Sequence, residues 1–288
     1  MQTMQSHGRT HAPRKRGIRY SAASAVNLRA VGDYWIASGA CRRAGQRPDP
    51  LAGDDSMVGG HENIASSRAF FGRRKGHALR PRQAALFDTL LPRLALDLAH
   101  PPPSELPTLF HDVDDTRLEI GFGGGEHMVA EAERHPRLGF IGSEPFVNGM
   151  AKALALIAER KLDNIRLHHG DASELIAWLP AASLARVDLI YPDPWPKRRH
   201  WKRRFVQDES IALIARILRP GGEFRFATDI ADYAAWTLAR LMRSPEFAWT
   251  AERADDWRRP WPGFSGTRYE AKAKREGRAP CYLIFRRI

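Results

Sequence analysis

A regular alternation of short apolar segments and amphipathic segments between residues 117 and 242 restricts this chain to few folds. Five segments have the length and apolar content of buried strands, namely 117–121, 138–143, 164–168, 187–191 and 223–227. Segments with helical spacing of apolar residues follow them, at 126–134, 148–161, 173–179, 210–218 and 231–242. Strands and helices that alternate in this way form a mostly parallel sheet with helices on both faces. The sequence therefore predicts an α/β fold, with an earlier helix at 82–98 and closing strands at 247–251 and 281–286.

Acidic residues stand at or just after the end of each of these five strands. They are Glu119, Glu144, Asp171, Asp193 and Asp229. Because ligands bind beyond the carboxyl ends of parallel strands, these side chains are expected to share one site. Carboxylates gathered at one edge repel each other unless a ligand or basic residues lie between them. The pattern therefore indicates a binding site rather than five unrelated surface acids.

The turn after the first strand is rich in glycine, but it is not a dinucleotide-binding turn. Residues 119–125 read E-x-G-x-G-x-G, and Glu126 stands where G-x-G-x-x-G requires glycine. A carboxylate at the start of the following helix would repel a pyrophosphate, whereas a sulfonium cofactor carries no phosphate. Glu144 could bond ribose hydroxyls, and Asp171 could accept from an adenine amino group. These features favour S-adenosylmethionine over a nicotinamide cofactor, with a packing turn that binds nothing as the simpler alternative.

The fourth strand leads into an acidic and aromatic turn and then into a basic run. Residues 192–196 read P-D-P-W-P, which would present the carboxylate of Asp193 and the ring of Trp195 at the sheet edge. The basic run occupies 197–204, and the whole chain has a formal net charge of +12. Clustered Lys and Arg bind phosphates by releasing counterions. The segment predicts a nucleic-acid contact beside the candidate site, and a solvated charged surface is the alternative.

The first 60 residues have a different composition from the rest of the chain. Arg and Lys are scattered among Ser, Ala and Gly, no acid precedes Asp33, and the apolar residues have no sustained period. Residues 1–60 are therefore expected to be a disordered basic extension. Three explanations remain open: a start codon assigned upstream of a native start at Met57, a flexible arm, or a targeting segment. Residues 69–288 are expected to form the folded domain.

Several classes of protein are disfavoured by composition. Only Cys41 and Cys281 occur, and neither cysteine nor histidine has metal-ligand spacing, so we predict no disulfide framework and no metal site. No apolar run approaches ~20 residues, so we predict no membrane-spanning helix. Few cysteines fit a reducing compartment such as the cytoplasm.

Six motifs together resemble the bacterial tRNA (guanine-N7-)-methyltransferases over about residues 70–286. The motifs are LEIGFGGGEH from Leu118, GSEPFVNGM from Gly142, GDA from Gly170, PDPWPKRRHWKRRF from Pro192, LRPGGEFRFATD from Leu218 and GTRYEAKAKREG from Gly266. The acidic turn with its basic run, and the late T-x-Y-E-x-K element, are the specific ones. The resemblance implies a Rossmann-like class I methyltransferase fold, S-adenosylmethionine as cofactor, tRNA as substrate, and a monomer or homodimer.

The resemblance also assigns roles to individual residues. The cofactor set is Glu119, Gly121, Gly123, Glu144, Asp171 and Asp193, and Asp193 also matches the position of the active-site residue. The residues matching substrate contacts are Lys197, Asp229, Thr267, Arg268, Tyr269 and Glu270. The residues matching the RNA-interacting stretch are Arg199, His200, Trp201, Lys202, Arg203 and Arg204. A guanine in the variable loop is the target that the family implies.

The chemistry of guanine N7 defines what such a site must do. N7 is an acceptor atom with a lone pair, so methylation needs no prior removal of a proton. Orientation toward the methyl group then supplies much of the rate, and Asp193 is better read as a positioning and electrostatic group than as an obligate base. Asp193, Asp229 and Glu270 are equal candidates for selecting guanine. The alternatives are an RNA-binding module on a degenerate methyltransferase fold and a methyltransferase acting on an exocyclic amine.

Overall fold

The computed structural model describes Gly72 and residues 74–288, and the expected N-terminal extension at 1–60 lies outside this part of the chain. The predicted helix at 82–98 is shorter and divided: α1 spans Pro81–Thr89 and α2 spans Leu91–Leu94. Pro92 lies in the first turn of α2, where its missing N–H removes no helical hydrogen bond. After α2 the backbone extends and Ala95 forms a bridge to Leu167.

Seven strands form one sheet in the order β3-β2-β1-β4-β5-β7-β6. The strands are β1 Asp115–Ile120, β2 Leu138–Ser143, β3 Ile165–His168, β4 Leu184–Ile190, β5 Leu218–Thr228, β6 Phe247–Trp249 and β7 Cys281–Arg287. The pairs among β1 to β5 are all parallel, and β7 is antiparallel to both β5 and β6. The mostly parallel sheet that the sequence predicted is confirmed.

The remaining helices connect these strands. They are α3 Glu126–Arg134, α4 Val147–Arg160, α5 Ala172–Trp178, α6 Asp208–Ile217, α7 Ala231–Leu241, α8 Asp255–Arg258 and α9 Arg268–Arg275. Two 3-10 helices occupy Leu106–Leu109 and Arg198–Arg203. The predicted bounds of the helix at 126–134 and of the strand at 138–143 agree with the structure, and the next helix is displaced by one residue.

Helices cover both faces of the sheet, as alternation along β1 shows. Leu118 and Ile120 point into the larger core cluster, which includes buried side chains of α5, α6 and α7. Arg117 and Glu119 point the other way and bond side chains of α3. A second apolar cluster packs α3 and α4 against β2 and β3. Since successive side chains of a strand alternate between faces, two cores on two faces follow directly from the sequence pattern.

Three local features bear on the site. β5 begins at Leu218, five residues before the predicted strand at 223–227, so Pro220 and the two following glycines lie within a strand. Asp171 is the N-cap of α5. Residues 268–275 form the helix α9.

Candidate active site

A cavity of about 450 Å³ opens at the carboxyl ends of β1, β2 and β4. The predicted site residues that line it are Gly121, Gly123, Glu144, Asp171, Asp193, Arg203 and Tyr269. Ile120, Leu189 and Phe146 supply apolar walls. The edge of the sheet therefore brings together most of the acids that the strand ends predicted, around a space large enough for a nucleoside-sized ligand.

The glycine turn between β1 and α3 uses backbone conformations that side chains disfavour. Gly121 and Gly123 have φ angles of 66° and 58°, both in the left-handed region. A Cβ on Gly121 would meet nothing within 4 Å, so the backbone there faces open space in the cavity. A ligand can therefore approach this backbone closely.

Glu144 is the acid that fixes the glycine turn. Its Oε2 accepts from the backbone N–H of Gly123 at 2.6 Å, and its Oε1 accepts from that of Phe146 at 2.8 Å. Burial raises the pKa of Glu144 to about 7, although these two donors favour the ionised form. Each carboxylate oxygen can accept a second hydrogen bond, so Glu144 can still bind ligand hydroxyls at the cavity.

Asp171 lies where β3 gives way to α5. Its Oδ1 accepts from the backbone N–H of Ser173 at 2.8 Å, which caps the helix. Asp171 also lines the cavity, and its contact with an adenine amino group remains a prediction.

Asp193 lies in a strained turn at the cavity mouth. Tyr191 and Trp195 flank it with φ angles of 52° and 41°, a region that bulky side chains rarely adopt. Partial desolvation raises the pKa of Asp193 above its ordinary value. Among the described residues, no hydrogen-bond donor and no cation pairs with its carboxylate, which distinguishes it from Glu144 and Asp171. Strain of this kind is found where a turn must hold a functional group in place.

Glu119 does not line the cavity, although the sequence grouped it with the other acids. It is buried beneath the glycine turn, and His127 Nδ1 lies 2.7 Å from its Oε2. Burial raises the pKa of Glu119, and the nearby Glu119 raises the pKa of His127 against the effect of burial. The pair fixes the start of α3 on β1, so the structure places Glu119 under the turn and not at the ligand surface.

A buried charge network continues from this pair across the same face of the sheet. Arg186 donates from Nη2 to Glu131 at 2.7 Å and from Nε to Asp188 at 2.8 Å. Arg117 donates to the same Glu131 oxygen at 3.2 Å. This network was not predicted from the sequence, although charges spaced by two within β1 and β4 indicate that one face of each strand is polar.

The predicted substrate residues at 267–270 form the start of α9 beside the glycine turn. Thr267 caps the helix by accepting from Glu270 N–H at 3.1 Å. Arg268 donates to the Tyr269 hydroxyl at 3.1 Å, and its other terminal nitrogen lies 3.6 Å from Glu126. Tyr269 is 46% exposed and its ring stacks on that of Tyr191, 6.5 Å between centroids. This arrangement closes one side of the cavity with aromatic rings.

Two predicted substrate acids are already paired in the structure. Glu270 is buried, and its Oε1 accepts from the Tyr282 hydroxyl at 2.6 Å and pairs with Lys274 at 2.5 Å. Asp229 accepts from Arg278 Nε at 2.5 Å. Tyr282 and Arg278 were not predicted from the sequence because they lie on later segments with no local motif. Contact of either acid with a base requires sharing or exchange of these partners.

The basic run divides into an outer and an inner part. Lys197, Arg199 and Lys202 are exposed, and Arg203 lies 5.1 Å over the Trp195 ring. Arg204 is fully buried, and its Nε donates to the Pro194 carbonyl oxygen at 2.9 Å. A buried guanidinium cannot reach a phosphate at the surface, so the expected RNA contact by Arg204 is wrong for this structure.

His200 and Trp201 take intermediate positions in the same run. The His200 ring meets Trp195 edge-on at 5.9 Å, and the Trp201 ring meets Trp236 at 5.2 Å. Both rings are half-buried, so they pack on the protein side of the basic run. The exposed lysine and arginine side chains of the run face the solvent.

In the described part of the chain, no group of three or more His, Cys, Asp or Glu side chains could hold a metal ion. The helices there are also too short or too polar to cross a membrane.

Comparison by sequence shows the family of this chain. A family model described as a putative methyltransferase matches residues 114–283. A tRNA (guanine-N(7)-)-methyltransferase of Rhodopseudomonas palustris strain BisB5 is 63% identical over 79% of this chain and 90% of its own length. That of Nitrobacter hamburgensis is 66% identical over 76% of this chain and 86% of its own length. The crystal structure of the 16S rRNA methyltransferase KamB is 15% identical and has a TM-score of 0.46, covering 66% of this chain and 95% of its own.

Proposed function

Because the chain belongs to the tRNA (guanine-N7-)-methyltransferase family, we infer that it transfers the methyl group of S-adenosylmethionine to N7 of a guanine in tRNA. It is an enzyme of the class I methyltransferase fold. We take 69–288 as the catalytic domain and place its activity in the cytoplasm, as a monomer or homodimer. A guanine in the variable loop is the target that we propose.

The cavity fits the cofactor that the family uses. The open backbone at Gly121 gives room for close approach, and Glu144 offers a carboxylate to ribose hydroxyls. Glu126 at the start of α3 disfavours a phosphate, so a cofactor without phosphate is the better match. When bound, S-adenosylmethionine supplies a methyl group on a cationic sulfur. We assign Gly121, Gly123, Glu144, Asp171 and Asp193 to its binding, with Glu119 acting from beneath the turn.

The carboxylate of Asp193 has no partner in the described part of the chain, and this observation carries the catalytic assignment. Glu144 and Asp171 bond backbone N–H groups, and Asp229 is paired with Arg278. Asp193 alone among these acids has neither kind of partner within the described residues. A fixed carboxylate beside the reacting atoms stabilises positive charge as it moves from sulfur to the guanine ring. It can also accept from a guanine N–H group and so orient N7 toward the methyl group.

The remaining assignments follow the geometry of the cavity mouth. Tyr269 and Trp195 offer ring faces for stacking of the target base, which must leave its own stack to enter. Arg199, Lys202 and Arg203 are proposed phosphate contacts, supported by Lys197, His200 and Trp201. Arg268 and Thr267 shape the wall next to the glycine turn. Asp229 and Glu270 contribute to guanine selection through the pairs described above.

The test is analysis of modified nucleosides by mass spectrometry after incubation of tRNA with the enzyme and S-adenosylmethionine. N7-methylguanosine is expected, and chemical cleavage at that nucleoside locates the modified base. The variant Asp193→Asn should lower kcat about 100-fold or more because it removes one fixed charge of the right sign. Its tRNA affinity should stay within about threefold of wild type, since Asp193 faces no phosphate. The exposed variant Asp88→Asn on α1 is the matched control.

Two results would reject these assignments. Methylation of an exocyclic amine in place of N7 would replace the reaction, and full activity of Asp193→Asn would remove Asp193 from catalysis. tRNA binding without any transfer would support a degenerate RNA-binding module instead.

A further inference from the structure

The basic segment and the Asp193 turn meet at one buried side chain, that of Arg204. Arg204 directly follows the 3-10 helix Arg198–Arg203 and has no exposed surface. Removal of a charged group from water is tolerated only when partners compensate for the lost hydration. The partners of Arg204 therefore indicate which parts of the structure this side chain connects.

Four partners of Arg204 lie on the basic segment and on α7. The guanidinium carbon lies 4.9 Å from the Trp201 ring centroid, 5.0 Å from that of Tyr233 and 5.1 Å from that of Trp236. Its Nη2 forms an ion pair with Asp232, whose side chain is partly exposed. Three aromatic faces and one carboxylate thus hold the planar group in a fixed orientation.

A further contact of Arg204 reaches the turn that carries Asp193. Arg204 Nε donates to the carbonyl oxygen of Pro194 at 2.9 Å. Pro194 is the residue between Asp193 and Trp195, and the positive φ of Trp195 makes this turn costly to maintain without support. A single guanidinium therefore bonds the turn that carries the carboxylate and packs on the segment that carries the exposed cations.

Three further hydrogen bonds to backbone carbonyl oxygens strengthen the same junction. Gln207 Nε2 donates to the carbonyl oxygens of Trp201 at 2.8 Å and Arg204 at 3.1 Å. Trp236 Nε1 donates to the Val206 carbonyl oxygen at 2.7 Å. The basic segment is thereby attached to α7 as a unit, with Lys202 and its exposed neighbours on the outer side.

We propose that Arg204 is a positioning residue that makes no RNA contact and sets the placement of Asp193 relative to tRNA bound on the basic segment. This inference rests on the proposed function, because that placement matters only for transfer to tRNA. Lysine could not replace Arg204, since one ammonium group cannot stack on three rings and also bond both Pro194 and Asp232.

The test compares Arg204→Lys with two other variants. In Arg204→Lys, kcat at saturating tRNA should fall about 10-fold or more, because a displacement of about 1 Å in the reacting geometry has effects of this size. The slope of log tRNA affinity against log salt concentration should equal that of wild type, since no phosphate contact is lost. Lys202→Ala should reduce the magnitude of that slope by about 0.7–0.9. Arg219→Lys, an exposed arginine at the opposite edge of the sheet, should change neither quantity.

Wild-type kcat in Arg204→Lys would overturn the proposal, and so would a loss of salt slope equal to that of Lys202→Ala. If Arg204→Lys does not fold, Asp232→Asn tests the proposal instead. This variant removes the charge that pairs with the Arg204 guanidinium and opens no cavity. A lower kcat with unchanged salt slope in Asp232→Asn supports the proposal, and unchanged kcat rejects it. Failure of the proposed function is a separate result, visible as absence of N7-methylguanosine with the wild-type enzyme.

Discussion

Protonation of Glu144 should control how tightly the cofactor product, S-adenosylhomocysteine, binds. Burial raises the pKa of Glu144 to about 7, whereas an unfolded glutamate titrates near its ordinary value of 4.5. The protonated group keeps only weak acceptor capacity for the Gly123 N–H and for ligand hydroxyls. If binding needs the ionised form, the apparent Kd rises by the factor 1 + 10^(pKa − pH). Between pH 8 and pH 5.5 this factor grows about 30-fold.

Isothermal calorimetry from pH 5.5 to 8 measures this effect directly. Glu144→Gln is the control, because glutamine keeps an oxygen for one backbone N–H and does not titrate in this range. Glu144→Gln should bind S-adenosylhomocysteine more weakly than the wild type at pH 8. The pH dependence of its Kd should reflect only the titration of the ligand and of other side chains. A wild-type profile as flat as that of Glu144→Gln would refute the coupling of Glu144 to binding.

The same shift affects the stability of the ligand-free protein. The folded-state pKa is raised, so the protein binds this proton more tightly than the unfolded chain does. The stabilising contribution is complete below about pH 4.5 and is lost as the pH rises through about 7. From pH 5 to pH 8 the free energy of unfolding should therefore fall by about 2–3 kcal/mol relative to Glu144→Gln. An equal pH dependence in both proteins would contradict the assignment.

Two further predictions concern the backbone of the glycine turn and the buried charges. Gly123→Ala should lower the free energy of unfolding by about 1–2 kcal/mol because φ is 58°, and it should weaken S-adenosylhomocysteine binding. The control Gly221→Ala, at a φ of 79° with open space around the added Cβ, should lose similar stability in urea unfolding without loss of binding. Arg186→Ala should cost about 3–5 kcal/mol in the same assay, because it leaves Glu131 and Asp188 without their shared partner, whereas Arg186→Met should cost less. If Arg186→Ala and Arg186→Met were both as stable as the wild type, the buried charge network would contribute nothing to the free energy of unfolding.

The order of strands and helices could be predicted because each element has its own local signal. Residues 126–134 begin after a glycine turn and keep helical spacing, and 138–143 form a short apolar run, so both were predicted with correct bounds. The strand was predicted to begin at residue 223, whereas β5 begins at Leu218. The prediction began too late because glycines such as Gly221 and Gly222 normally follow the end of a helix. In the structure Leu218 pairs with Leu184, and this tertiary contact extends the strand back through the glycines.

The candidate site was predicted from the positions of acids along the chain, and its pairings were not. Asp229 and Arg278 are 49 residues apart and belong to different elements, so no local pattern joins them. Glu119 was grouped with the acids at the carboxyl ends of the strands because it lies one residue from the end of β1. Its side chain, however, points to the face of the sheet that His127 covers. Arg204 has the same residue type as Arg203 beside it, and only packing against α7 separates their environments.

The conformations of Tyr191 and Trp195 have a consequence for laboratory evolution. Both residues keep large rings in a backbone region that asparagine or glycine adopts with less strain. Selection of random variants for heat tolerance alone should therefore collect such residues wherever the relief of strain exceeds the lost packing of the ring. Because the carboxylate between them would lose its rigid frame, such survivors should melt at higher temperature and methylate more slowly. Libraries intended to keep the enzyme active should hold codons 191 and 195 constant.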